Sequence, residues 1–137
     1  MKAHPPATEL LAAVSRFLRG DLLPSLSGSH AFNLKVSLNA IDLVRREIDQ
    51  RAGADQREHD RLAKLLGVNG ELETMRQLLC DKIAAREITL DQPALREHLR
   101  ATTIDRLAID QPNYSAYLAA LARRGAVDAS NNKTPEE

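Results

Sequence analysis

Residues 29–51 read SHAFNLKVSLNAIDLVRREIDQR. Phe32, Val36, Asn39 or Ala40, Leu43 and Glu47 recur at spacings of three and four, which places them on one side of an α-helix. Leu34, Leu38, Ile41, Val44 and Ile48 form a second stripe beside the first. A helix apolar over so wide an arc is expected to be central, with neighbours on two sides. The next glycine, Gly53, is expected to end it.

Helical spacing continues in both directions. Upstream, Leu10, Leu11, Val14, Phe17 and Leu18 make one helical face after Pro5 and Pro6, with Gly20 as the expected C-cap. Pro24 and Gly28 interrupt the pattern, so residues 21–28 read as a short connector whose Leu22, Leu23 and Leu26 still pack inward. Downstream, residues 55–66 suit a third helix with His59, Leu62, Leu65 and Leu66 inward and Gly67 as its C-cap. Asn69 reads as the N-cap of a fourth, covering residues 70–86 with Leu72, Met75, Leu78, Leu79 and Ile83 on its face. Asp91 and Pro93 announce a fifth, an acidic cap before a first-turn proline, and Pro112 ends it. A sixth takes residues 114–124. No period-two alternation predicts a strand. The expected architecture is all-α, a single-domain helical bundle of five to six helices over residues 1–125. Residues 126–137 are polar and without apolar period, and read as a disordered tail.

Composition narrows the function. The 137 residues suit one domain, and 43% hydrophobic content is enough for an ordinary core. Nineteen basic residues balance nineteen acidic ones, and only four aromatics are present. Nucleic-acid binding needs a basic footprint and stacking platforms, so no nucleic-acid partner is expected. The longest apolar runs are about five residues, far short of a membrane span, and the N-terminus has no secretory pattern. A cytoplasmic location follows. Cys80, the only cysteine, precludes an internal disulfide and reads as a small buried core residue.

No catalytic or metal motif emerges. The Glu-x-x-His spacing of di-iron bundles, the His-Glu-x-x-His of zincins, the phosphate-binding glycine loops and the Gly-x-Ser-x-Gly elbow are all missing. No catalytic residue, metal ligand or cofactor is therefore assigned. Asp55 and His59 share a helical face at spacing four, readable as an ion pair, a capping contact or half a metal site. Ser27-Gly28-Ser29 before the central helix reads as a serine cap or an anion-facing turn. The strongest constellation is a set of polar residues on largely apolar faces. Asn39, Arg46 and Glu47 lie on the second helix. His98, Thr102 and Asp105 run along the fifth, closed by Asp110. If buried, such groups must be paired. They form a hydrogen-bond network that sets helix register, or a polar pocket of Asn39, Arg46, Glu47, His98, Thr102 and Asp110, or they simply face solvent.

Two stretches carry a resemblance. One is Leu23-Pro24-Ser25-Leu26-Ser27-Gly28 through Ala31-Phe32, Val36, Asn39-Ala40, Val44 and Arg46-Glu47. The other is His98-Leu99-Arg100-Ala101-Thr102-Thr103, followed by Leu107-Ala108-Ile109-Asp110-Gln111-Pro112 and Tyr114-Ser115. With the N-terminal Leu-Leu-x-x-Val-x-x-Phe-Leu pattern, they resemble a bacterial family of unknown function over about residues 8–117. The resemblance implies company with aminoglycoside-phosphotransferase-like kinases and acyl-CoA dehydrogenase-like flavoproteins. No functional residue of such a family carries over. Three roles are expected in order: an accessory protein for such an enzyme, a small-molecule binder or minor enzyme using the polar group, and a self-associating structural protein whose homodimer seam is the wide apolar arc of the second helix and the Tyr114–Leu121 face.

Overall fold

The computed structural model describes residues 4–131, with side chains as far as Val127. Five α-helices and no strand occur among the described residues: α1 (Ala7–Phe17), α2 (Gly28–Leu66), α3 (Leu72–Ala84), α4 (Pro93–Asp110) and α5 (Ser115–Asn131). The all-α fold is as the periodicity predicts. The chain divides into two compact units that meet within α2, between Ala52 and Gly53.

The first unit holds α1, a π-helical turn (Leu18–Leu22), a 3-10 turn (Leu23–Ser25) and the first half of α2. Pro24 sits in the first turn of the 3-10 element, where its missing N–H is harmless, and the Ser25 hydroxyl donates to the Leu22 carbonyl at 2.7 Å. Gly20 is not a C-cap. It lies inside the π-helical turn, and only Gly28 and Gly67 among the described glycines have positive φ. Leu38 is completely buried. One turn on, Asp42 receives the Ser15 hydroxyl at 3.1 Å and the Arg19 guanidinium at 2.7 Å, so α1 lies against the Leu38–Asp42 side of α2.

Gly53 does not end α2, which runs unbroken for 39 residues. One glycine inside a helix costs only about 1 kcal/mol relative to alanine. The flanking alanines, the Glu47–Arg51 pair at 2.6 Å and the Gln56–Asp60 hydrogen bond at 2.9 Å, both at spacing four, hold the turns on either side. The stretch expected as a separate third helix is therefore the second half of α2. The helix stops at Gly67, as expected: its φ of 68° is left-handed and its N–H closes on the Ala63 carbonyl at 3.0 Å.

The second unit owns the main core. Leu62 of α2, Met75 and Leu79 of α3, Ile88 of the following loop and Leu95 of α4 form one buried cluster, with Ala63, Leu65, Leu66 and Leu72 packed against it. Ile109 is also buried. Helix α3 ends in a Schellman turn. The Glu87 N–H bonds the Lys82 carbonyl at 2.9 Å and the Arg86 N–H bonds that of Ile83 at 3.0 Å. Arg86 takes the left-handed position at φ 59°, where glycine is usual. The turn delivers Ile88 into the core.

Other local expectations change. Asn69 and Asp91 are not the caps, since Glu71 and Gln92 hold the extended N-cap positions and neither makes a side-chain cap bond. Pro93 does open α4, and α4 stops two residues before Pro112. Cys80 is exposed rather than buried. It lies one residue round from Leu79, which turns it off the Met75–Leu79 face. Helix α5 continues past Gly125 to Asn131, because a lone glycine among alanines does not stop a helix. The rest of the expected tail, residues 132–137, lies outside the described residues. No helix among the described residues is long and apolar enough to cross a membrane.

Candidate functional site

Two surfaces in the structure have chemistry beyond simple packing, one in each unit. In the second unit, a charge network ties the second half of α2 to α3 and α4. Glu58 is buried, and it receives two bonds from Arg76: Nε to Oε1 at 3.0 Å and Nη2 to Oε2 at 2.6 Å. Arg76 also reaches Glu73 at 3.1 Å and Asp55 at 3.5 Å. Hydrogen bonding by Arg76 holds the Glu58 carboxyl below its ordinary range, outweighing the opposing effect of burial. On the α4 side, Asp105 takes Arg57 on one oxygen at 2.8 Å and Arg61 on the other at 3.2 Å. Arg61 also donates to the Thr102 hydroxyl at 3.2 Å.

His98 is buried one turn from Thr102, and its Nδ1 has no hydrogen-bond partner. Burial pushes its pKa below the ordinary value, and the nearby Arg61 charge acts in the same direction. The imidazole is accordingly neutral near pH 7. Thr102 and Asp105 thus find their partners in Arg57 and Arg61, while His98 has the charges of Arg61 and Glu58 nearby. The sequence reading missed these three and Arg76. Their signal was faint: Asp55, Glu58, Arg57 and Arg61 sit at helical spacings where an exposed charged face is the ordinary expectation.

The remaining members of the expected polar set lie elsewhere. Asp110 is exposed at the last position of α4. Asn39, Arg46 and Glu47 belong to the first unit, with Asn39 exposed and Glu47 held by Arg51 at 2.6 Å. Asp55 and His59 do not pair. Asp55 faces Arg76, and His59 Nε2 donates to the Gly70 carbonyl at 3.0 Å. No group of three or more His, Cys, Asp or Glu that could hold a metal occurs among the described residues. A cavity of about 180 Å³ lies between α4 and α5, with Glu97, Arg100, Arg123 and Arg124 among its lining residues.

The first unit presents the other surface, which is apolar. Leu10, Val14 and Phe17 recur along α1 at spacings of four and three, and all are exposed. On α2, Phe32, Val36, Leu43, Val44 and Ile48 are exposed as well, Phe32 by 66%. Of the two stripes expected on α2, the structure covers Leu38 fully and Leu34 and Ile41 in part. The open residues fall on both stripes, Phe32, Val36 and Leu43 on one and Val44 and Ile48 on the other.

A family model now meets this geometry, matching residues 24–114, from the 3-10 turn to the start of α5. The chain belongs to the DUF6285 family, a domain of unknown function. The match is narrower than the 8–117 expected and leaves out α1. The DUF6285 span holds both the open apolar residues of α2 and the Glu58–Arg76 network, but not the α5 arginines of the cavity. No curated protein and no solved structure matches the chain.

Proposed function

We propose that this chain is a non-catalytic accessory protein that works by protein–protein contact through the apolar surface of its first unit. One observation carries the reading: Leu10, Val14 and Phe17 on α1 and Phe32, Val36, Leu43, Val44 and Ile48 on α2 stand open to solvent, while Leu38 alone among the large apolar residues of that unit is fully buried. Burial of apolar surface is the main drive for association. The charged groups of the second unit support the reading differently. They are spent on one another, as Glu58 on Arg76 and Asp105 on Arg57 and Arg61, which suits a rigid scaffold more than a reaction centre.

The partner implied by the family resemblance is a phosphotransferase-like kinase or an acyl-CoA dehydrogenase-like enzyme. Calorimetric titration of the purified chain into each enzyme tests this. A saturable heat that Val14→Glu on α1 abolishes is the expected outcome. No heat with either enzyme at micromolar concentrations removes the accessory reading.

A second reading, a small-molecule binder, is favoured by the cavity between α4 and α5, where three arginines and one glutamate line about 180 Å³. It predicts a raised melting temperature with a small phosphate or carboxylate ligand, lost in Arg100→Ala.

A further inference from the structure

We propose that the groove between α1 and the first half of α2 binds the phosphate group of a small phosphate monoester, held by Arg16, Arg19 and Arg45. The site goes beyond the contact role argued above. At the turn angle of an α-helix, its α1 residues fall on the opposite side of that helix from Leu10, Val14 and Phe17.

The groove has a volume of about 430 Å³, within the usual range for small-molecule sites. Arg16, Arg19 and Arg45 line it, and Asp42 is the only acid in its lining. Both oxygens of Asp42 are already engaged. The buried Ser15 hydroxyl donates to Oδ1 at 3.1 Å, and Arg19 Nη2 donates to Oδ2 at 2.7 Å. Asp42 therefore fixes Arg19 at the groove while leaving most of its N–H donors open. Arg16 and Arg45 have no hydrogen-bond or ion-pair partner among the described residues. Three guanidinium charges against one carboxylate leave two positive charges in the groove. The chain as a whole has none to spare, with nineteen bases and nineteen acids.

The chemistry of the ligand follows from that arrangement. A phosphate monoester carries roughly −1.5 to −2 charges at pH 7 and three acceptor oxygens, which match two net positive charges and three guanidinium forks. A carboxylate offers half the charge and one oxygen fewer. The donors come from about one turn of each helix, which suits a single anionic group and not an extended polyanion. A second observation points to the same place. Arg19 and Gly20 belong to the π-helical turn Leu18–Leu22, and Gly20 lines the groove with no side chain to fill it. Single π turns are rare and frequently stand at functional sites.

Titration of the full chain with phenyl phosphate, followed in proton–nitrogen correlation spectra, tests the assignment. Saturable shifts are expected at amides of residues 12–20 and 42–45. Arg16→Ala and Arg45→Ala should each weaken binding about tenfold or more, the effect of one lost charge-assisted hydrogen bond. Arg16 is exposed, so its replacement leaves the fold intact and keeps the test decisive. Benzoate, with the same ring and a carboxylate head, should bind about tenfold more weakly than phenyl phosphate. Arg100→Ala, at the α4–α5 cavity, should change nothing. The absence of saturable shifts at millimolar phenyl phosphate overturns the proposal, as does an Arg16→Ala chain that binds like the parent. Benzoate binding as tightly as phenyl phosphate removes the phosphate assignment. Shifts confined to α4 and α5 that Arg100→Ala abolishes would overturn this site and support the cavity between those helices.

Discussion

Glu58 shows how a single residue gains its weight from what surrounds it. In the sequence it is one acid among nineteen. In the fold its carboxylate is buried and accepts both nitrogens of Arg76. Removing one member of such a pair leaves the other partly desolvated without its counter-charge. Glu58→Ala should therefore cost about 3 kcal/mol, the low end for a buried pair, because Arg76 keeps Glu73, Asp55 and some water. Urea denaturation midpoints measure this. The same pairing sets an acid limit. The folded pKa of Glu58 lies below its ordinary 4.5, so its contribution is complete above that value and is lost as pH falls to the folded one. His98 acts in a higher window with the same sign. Its folded pKa lies below 6.5, so below pH 6.5 the unfolded chain takes up a proton that the folded chain resists. Stability should fall between pH 7 and pH 5, and His98→Leu should flatten that part of the profile while leaving the limb below pH 4.5. An unchanged slope in the variant would assign the window to other groups.

Among the elements, α3 and its exit turn show a local compromise. The left-handed position of the Schellman turn is held by Arg86, at a backbone cost of about 1–2 kcal/mol for a residue with a Cβ. The turn persists because it carries Ile88 into the core and because Lys82 pairs with Glu87 at 2.7 Å across it. Arg86→Gly should raise stability by about 0.5–1 kcal/mol, after the greater freedom of glycine in the unfolded chain is subtracted. A rise in the thermal midpoint is the check. The contrast with Gly67 is instructive. There the same backbone conformation is met by a glycine, and the end of α2 was legible from the residue itself. Where an arginine fills the position, no residue type announced the turn.

For the whole chain, the division into two units predicts uneven protection. The second unit has a contiguous core of Leu62, Met75, Leu79, Ile88 and Leu95. The first has Leu38. Hydrogen exchange should be slowest at amides of α3, α4 and residues 58–66, and faster over α1 and residues 28–45. Uniform protection along the chain would show that the two units unfold as one.

The helical class, the start of α1 after Pro6, the stop at Gly67 and the start at Pro93 were readable from periodicity, left-handed glycine and proline geometry, all of which act within a few residues. Two apolar stripes on residues 29–51 were also readable. Which of their residues are covered was not, because cover depends on where α1 lies. Gly53 and Gly125 looked like breaks, yet the turns around them hold the helices through. The polar set was legible only in part. His98 and Thr102 stood out as polar groups on an apolar face, whereas Glu58 and Arg76, eighteen residues apart, looked like solvated charges on two separate helices. Helical pattern is local and survives in the linear order of residues. Charge pairing across elements depends on distances that exist only once the helices have packed.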